Sequence, residues 1–497
     1  MPAPAHPSAA APDSPESRWA WRAWLQRHRG GLLMFAAFAL FLVYGSCRQR
    51  YIWGVDSFGY YELGKVISEG RITLPLHFES VHKSPLTPWG FLVREQGVPT
   101  PSYPPGFPLL LALGHLVRAP LWVTPAIGVL SCALLLRLLR RRTSEAVALL
   151  LTAAWALMPL TVYGSTMLMS DLVAATTLMG GLLAWQQGRL GLAAWIFSFS
   201  FAVRPTNVLF FVPLLLVLPR DRTSVRFLLH FIVPCAIYAV YNTLLYGRPW
   251  RTGYGNIMVG MEARIFPEFF AFFLRTTWEL LTPIVIGFAA LAFVRPSRER
   301  FFLLAWWLTF VGFYSFWAGG GADRWWWARF ILPGMAGLFL LAGDGCEWAR
   351  QWMGKTFPHA RWVAVLPLLL IAVLPFAYLR DARNRPEIWR RDTGLPNHLL
   401  VEKVCATVPE GSLIGTLEHA SSFYLYSSLV PFVCIDPAAS ELVDEALRHG
   451  RRVFVLPEPW HVDHPEVREL LTRFSATEAG KFDTPWAGQT LYELKLR

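Results

Sequence analysis

The chain has 497 residues, of which 54% are hydrophobic and only 16% are Asp, Glu, Lys or Arg. That is too little charge to cover a soluble globule of this length, and the apolar residues recur in runs of about 20, so a polytopic helical membrane protein is expected. The net charge of +12 does not point to nucleic acid, because the arginines sit in short links between apolar runs, where positive-inside bias places them.

Residues 1–30 read as a cytosolic N-terminal tail. The first part is rich in Pro, Ala and Ser, and Arg18, Arg22, Arg27 and Arg29 precede the first apolar run. No cleavage site follows, which makes a retained signal-anchor the expectation. Residues 31–380 read as the transmembrane domain. About eleven spans are expected, near 31–47, 119–139, 144–162, 171–186, 190–203, 206–219, 227–246, 276–294, 301–318, 329–346 and 361–379. A short apolar stretch at 106–117 precedes the second. With the N-terminus inside, the arginine blocks at 137–142, 220–226 and 295–300 all fall on the cytosolic side. The long first loop, 48–104, then shares the outer side with 163–170, 247–268 and 319–328.

Residues 381–497 change character. Apolar runs shorten to strand length at Ser412–Leu417, Phe432–Ile435, Arg452–Leu456 and Thr490–Leu496. Helical patterns lie between them at Ala439–His449 and Pro465–Phe474. This alternation predicts a small α/β domain, outside the cytosol on the same topology. Cys405 and Cys434 lie there, and the sequence leaves open whether they pair. His461 and His464 have the look of a metal clip without an evident third ligand, so a solvated loop is the expectation.

The outer segments collect the residues with chemistry. Asp56 stands in Trp53-Gly54-Val55-Asp56-Ser57-Phe58-Gly59-Tyr60-Tyr61-Glu62, just after the first span. Alone, it suits a helix N-cap. Asp171, in Ser170-Asp171 at the start of the fourth span, suits the same role. Facing the same side, the two acids also make a pair in which one acts as a base. Ser102-Tyr103-Pro104-Pro105-Gly106-Phe107-Pro108 fixes a rigid, aromatic entry to the apolar stretch that follows. Tyr60, Tyr61, Tyr103 and Pro105 are therefore expected to wall a substrate pocket. Arg204, at a tight outer turn, and Arg324 and Arg329, flanking Trp325-Trp326-Trp327, have the chemistry to grip phosphate oxygens bidentately. An aromatic belt with snorkelling arginines is the plainer alternative.

Taken in order, these motifs, with Arg204-Pro205-Thr206-Asn207 and Arg329-Phe330-Ile331-Leu332-Pro333, resemble the GT-C superfamily of polytopic glycosyltransferases. Protein O-mannosyltransferases and the lipid A aminoarabinose transferase are its best-known members. The resemblance covers about residues 30–380. It implies a bacterial inner-membrane enzyme that takes a sugar from a polyprenyl-phosphate donor at the outer membrane face. The acceptor would be a glycan, lipid or protein, and surrounding membrane lipids are partners. By that similarity Asp56 is the general base, Asp171 the second acid, and the arginines bind the lipid phosphate. A divalent metal is left open as a cofactor. Ser57 follows Asp56 where the O-mannosyltransferase pattern has Glu, which argues against a protein acceptor.

The chemistry is coherent on its own terms. A phosphate departs as a stabilised anion and needs no strong general acid. One base suffices for in-line attack by a hydroxyl, which inverts the anomeric centre, and arginines offset the charge developing on the phosphate. The rival expectation is a transporter or lipid flippase, which would place ionisable residues near mid-bilayer and pair its halves.

Overall fold

The computed structural model describes residues 15–93, 97–218, 221–255, 260–317, 324–384, 394–483 and 488–497. Each of the eleven expected spans has a helical counterpart. The first eight helices are α1 (Pro15–Cys47), α2 (Val55–Ser68), α3 (Gly106–Leu116), α4 (Val123–Arg140), α5 (Glu145–Leu157), α6 (Pro159–Thr166), α7 (Ser170–Gln186) and α8 (Leu190–Val203). A 3-10 turn, Pro205–Phe210, leads into α9 (Phe211–Leu214). Then come α10 (Arg222–Tyr246), α11 (Phe266–Leu291), α12 (Arg298–Tyr314), α13 (Leu332–Thr356) and α14 (Leu366–Asn384).

Among the described residues, six helical stretches are long and apolar enough to cross a bilayer, or seven when α5 and α6, bent by 59°, count as one. The chain is thus a multi-pass membrane protein. Four of the expected spans, α7, α8, the Pro205–Leu214 segment and α12, have 17 residues or fewer and fall short of full crossing length. The bends have local causes. Pro159 opens α6 and removes a backbone donor from the ladder of α5. Thr282, with φ of 64°, breaks α11 just before Pro283, whose ring disfavours helical backbone in the residue ahead of it. Helix α11 also starts at Phe266, ten residues before the expected 276, so Arg275 and Glu279 (3.7 Å apart) lie within it rather than at its start.

The Trp325–Thr356 stretch sits at the centre, 89% of its most apolar window buried, against 11% for α10 at the periphery. Small residues make that centre accessible. At Gly345 a Cβ would collide with the Phe288 carbonyl, so α11 and α13 approach backbone to backbone only because that side chain is absent. Around this contact Trp155, Phe210, Trp306, Phe310 and Phe339 fill the main core.

The C-terminal region folds around a five-stranded sheet. Strands β3 (Leu413–Thr416), β4 (Val430–Val433) and β5 (Val453–Val455) are parallel, and β6 (Ser475–Asp483) and β7 (Gly488–Lys495) form an antiparallel pair, in the order β4-β3-β5-β7-β6. The short β1 (Phe91–Val93) and β2 (Pro99–Pro101) pair in the first loop. The parallel strands are buried on both faces, which is why they read as continuous apolar runs. Strand β6 was not foreseen. It is a polar, largely exposed edge with no apolar alternation for sequence to show. Cys405 and Cys434 are both unpaired thiols.

The first loop ties this sheet to the bundle. Leu86 enters the sheet's core, and Val433 N donates to Pro85 O at 2.7 Å on its edge. Ser84 Oγ reaches Asp436 at 2.6 Å, Tyr424 Oη reaches Pro75 O at 3.2 Å, and Ile52 N donates to Tyr426 Oη at 2.5 Å.

Candidate active site

Helix α2 starts after Gly54, its N-cap residue, and carries Asp56 in its first turn. Helix α7 starts after Met169 and carries Asp171 in its first turn. Neither acid is the cap that its sequence context suits. Both sit where the helix dipole favours an anion, with the carboxylate left for other partners.

Those partners come from far along the chain. Tyr103 Oη donates to Asp56 Oδ1 at 2.7 Å, and Arg329 Nη2 donates to Asp56 Oδ2 at 2.8 Å. Arg204 Nη1 pairs with Asp171 Oδ1, and Arg329 Nε lies 3.8 Å from Asp171 Oδ2. The Tyr314 hydroxyl accepts from Arg204 Nε at 3.1 Å and hydrogen-bonds Thr206 Oγ1 at 2.8 Å. Tyr60 Oη and Ser170 Oγ are 2.8 Å apart, joining α2 to α7. Gly59 makes the first of these contacts accessible, since a Cβ there would strike the Tyr103 ring. Burial and then the Asp56 charge push the Tyr60 hydroxyl up to about 12 and the Tyr103 hydroxyl well above its usual value. Both therefore stay protonated at neutral pH, and Tyr103 remains a donor to Asp56.

These groups line a cavity of about 550 Å³. Asp56, Tyr60, Tyr103, Asp171, Arg204 and Arg329 all face it, so six of the nine expected site residues converge from five separate segments. The other three do not line it. Tyr61 points to the other side of α2 and packs its ring against His115, with centroids 4.7 Å apart. Successive helical residues are about 100° apart, so the tyrosines cannot share a face. Pro105 is the buried N-cap residue of α3, a hinge behind Tyr103. Arg324 is exposed, its guanidinium 5.0 Å over the Trp326 ring, as an interfacial arginine is placed.

Part of the lining was missed. Trp250, Thr252, Tyr254 and Met261 come from the loop between α10 and α11, while Tyr314 and Trp317 come from the end of α12. That loop is pinned by Glu262 N to Phe316 O at 2.8 Å. The signal was present in part: 247–268 belongs to the expected outer side and is aromatic. Phe330 and Trp327 complete the wall, with the Arg204 guanidinium 5.0 Å over Phe330 and that of Arg329 5.5 Å over Trp327.

Among the described residues no three His, Cys, Asp or Glu side chains are grouped to hold a metal ion. The two carboxylates of the cavity each carry a guanidinium, so the donor set does not fit a resident divalent cation. In the C-terminal region, His461 lies beside Glu458 and His464 beside Glu466, pairs rather than a metal cage.

No family model and no curated protein sequence matches the chain. Solved structures do. ArnT from Cupriavidus metallidurans bound to undecaprenyl phosphate superimposes with a TM-score of 0.61 at 15% identity, over 93% of this chain and 97% of that one. The archaeal oligosaccharyltransferase AglB from Archaeoglobus fulgidus, in complex with an inhibitory peptide and a dolichol-phosphate, gives 0.55 at 11% identity, over 94% of this chain and 74% of that one. The arabinofuranosyltransferase AftD from Mycobacteria gives 0.52 at 15% identity, over 95% of this chain and 42% of that one. At these identities the likeness is one of architecture, and the chain has the fold of the GT-C membrane glycosyltransferases.

Proposed function

We propose that the protein transfers a sugar from a polyprenyl-phosphate donor to an acceptor hydroxyl, with inversion, in the cavity at the end of the bundle that carries Asp56. The observation that carries this reading is the convergence of two carboxylates and two guanidinium groups from distant segments on one cavity. Asp56 takes the acceptor proton as the acceptor oxygen forms its bond to the anomeric carbon. The bond from that carbon to the phosphate oxygen breaks, and the phosphate leaves with the electron pair. Arg329 and Arg204 meet the charge that grows on it. The prenyl tail stays in lipid. ArnT and AglB were solved with prenyl phosphates, which supports the donor class.

The cavity faces the outer side of a bacterial inner membrane in this reading. The arginine blocks at 137–142 and 295–300 lie at the opposite end of α4 and α12, where positive-inside bias supports a cytosolic assignment. Residues 1–30 are then cytosolic, 31–380 the membrane domain, and 381–497 extracytoplasmic.

The test is transfer from polyprenyl-phosphate sugars by purified full-length protein, wild type against Asp56→Asn and Asp171→Asn. Loss of turnover in both supports the assignment. Wild-type turnover in both variants sinks it.

A further inference from the structure

The proposed base and one proposed phosphate ligand hold each other. Arg329 spends Nη2 on Asp56 Oδ2 at 2.8 Å, and the second oxygen of Asp56 is taken by Tyr103. The four charges of the cavity, Asp56, Asp171, Arg204 and Arg329, sum to zero. Among the described residues a donor phosphate therefore meets no unneutralised cation in the cavity lining. To gain Arg329 as a full bidentate partner it must take Nη2 from Asp56.

The two ion pairs differ in how readily they yield. The Asp171 side chain is 5% exposed, and removing Arg204 would leave a buried charge with only the 3.8 Å approach of Arg329. Arg204 is also held by the Tyr314 hydroxyl at 3.1 Å. The Asp56 side chain is 34% exposed and keeps its Tyr103 bond when its arginine leaves, so water in the cavity can replace the lost partner. Arg329 is thus the cation whose carboxylate can be solvated again. Its other contacts are Met169 Sδ at 3.6 Å, the 3.8 Å approach to Asp171 and the Trp327 and Phe330 rings at 5.5 and 5.2 Å, and its Nε makes no hydrogen bond.

We propose that Arg329 is a phosphate-operated latch on the catalytic carboxylate. The donor phosphate draws Arg329 off Asp56, and that exchange frees Oδ2 of Asp56 to receive the acceptor hydroxyl. Arg204 stays paired with Asp171 through Nη1 and meets the phosphate from that fixed position. Donor binding thus precedes productive acceptor binding, and an acceptor that arrives first meets a base still covered by its arginine. This rests on the proposed transferase function of the same cavity.

The experiment is a double-mutant cycle on the affinity of full-length protein, in lipid nanodiscs, for undecaprenyl phosphate. Asp56→Asn removes the competing anion and should bind the lipid about tenfold more tightly than wild type, the scale of one charge-assisted hydrogen bond. Asp56→Ser serves if the amide variant misfolds. In an Arg329→Gln background the same Asp56 change should give no gain, because the gain passes through that guanidinium. A gain that persists without Arg329 is a through-space charge effect and overturns the latch. So does an Asp56→Asn affinity equal to or weaker than that of wild type, while a binding, active wild type leaves the transferase reading standing. A wild type that neither binds the lipid nor transfers from any polyprenyl-phosphate sugar removes that reading, and the latch with it.

Discussion

The cavity beside Asp56 and the ion cluster at the opposite end of the bundle are built from the same residue types. At the far end Arg142 grips Asp344 with two bonds, Nε to Oδ1 at 3.0 Å and Nη2 to Oδ2 at 2.7 Å. Arg300 adds Nε to Oδ2 at 3.2 Å, and Arg142 Nη1 reaches Glu299 at 2.6 Å. A cavity of about 540 Å³ lies there too. Paired arginines and a hollow are therefore not enough to mark a reaction site. What differs is the carboxylate. Asp344 stands midway along α13, 6% exposed at its side chain and bonded on both oxygens by arginines from α12 and the α4–α5 turn. It ties three elements together. Asp56 stands in a first helical turn, 34% exposed, with one arginine, one tyrosine and open cavity before it. One arrangement is closed and braces; the other is loose enough to exchange partners.

The widest separation between the two should come from exchanging their carboxylates for amides or alanine. Asp56→Asn is expected to lower turnover by about 10²–10⁴-fold, the range of a lost general base, with little change in the thermal midpoint. Asp344→Ala is expected to cost about 3 kcal/mol of stability, because the buried Arg142 keeps only the exposed Glu299 and Arg300 loses its carboxylate, while turnover per folded molecule stays near wild type. Parallel unfolding and transfer assays on both variants check this. If Asp344→Ala loses turnover without losing stability, the comparison breaks.

A smaller effect is expected from Tyr103→Phe, which removes the donor to Asp56 Oδ1 but keeps the ring packed against Tyr60 at 4.5 Å. Turnover should fall by about tenfold, on the scale of a hydrogen bond to a charged group. Steady-state kinetics would reveal a loss confined to kcat. An unchanged kcat would mean that Asp56 is positioned by α2 and Arg329 alone.

The smallest effect sharpens the comparison from a third carboxylate. Glu62 is buried like Asp344, but among the described residues no arginine is salt-bridged to it; Lys65 lies 3.5 Å from one oxygen and the other oxygen has no hydrogen bond. Burial holds its carboxyl above the usual range. A raised carboxyl favours the protonated folded form, so its relative contribution is fully present below the unfolded value of about 4.5 and is lost as pH rises through the folded one. Glu62→Gln should therefore raise the thermal midpoint at pH 7 by the equivalent of about 1 kcal/mol, and the gain should vanish on acidification toward pH 4. A midpoint that falls at pH 7 would show that the Lys65 contact outweighs the burial.

Much of this protein was legible without coordinates, for identifiable reasons. A membrane imposes one chemistry on every helix that crosses it, so apolar runs and arginine blocks located a helical counterpart for each expected span. The buried parallel strands of the C-terminal sheet declared themselves in the same way. Residue chemistry in the segments expected on the outer side singled out Asp56, Asp171, Arg204, Arg329, Tyr60 and Tyr103, which line one cavity. Helical spacing of four residues already puts Asp56 and Tyr60 on one face, but Tyr61 was expected in the pocket too, because either tyrosine suits an interfacial helix; the packing of α2 turns it onto His115 of α3 instead. Sequence could not foresee Trp250, Tyr254 and Tyr314, whose place on the cavity depends on a loop folding back over the end of α12.

By itself, then, the sequence determined which segments are apolar helices and which residue types stand in the links between them, because transfer free energy and charge placement act locally along the chain. Only the tertiary structure decided the pairings: Arg329 with Asp56, 273 residues apart, and Arg204 with Asp171. Those pairings depend on where helix ends meet in space, and they distinguish a carboxylate locked in a brace from one held by a single removable cation.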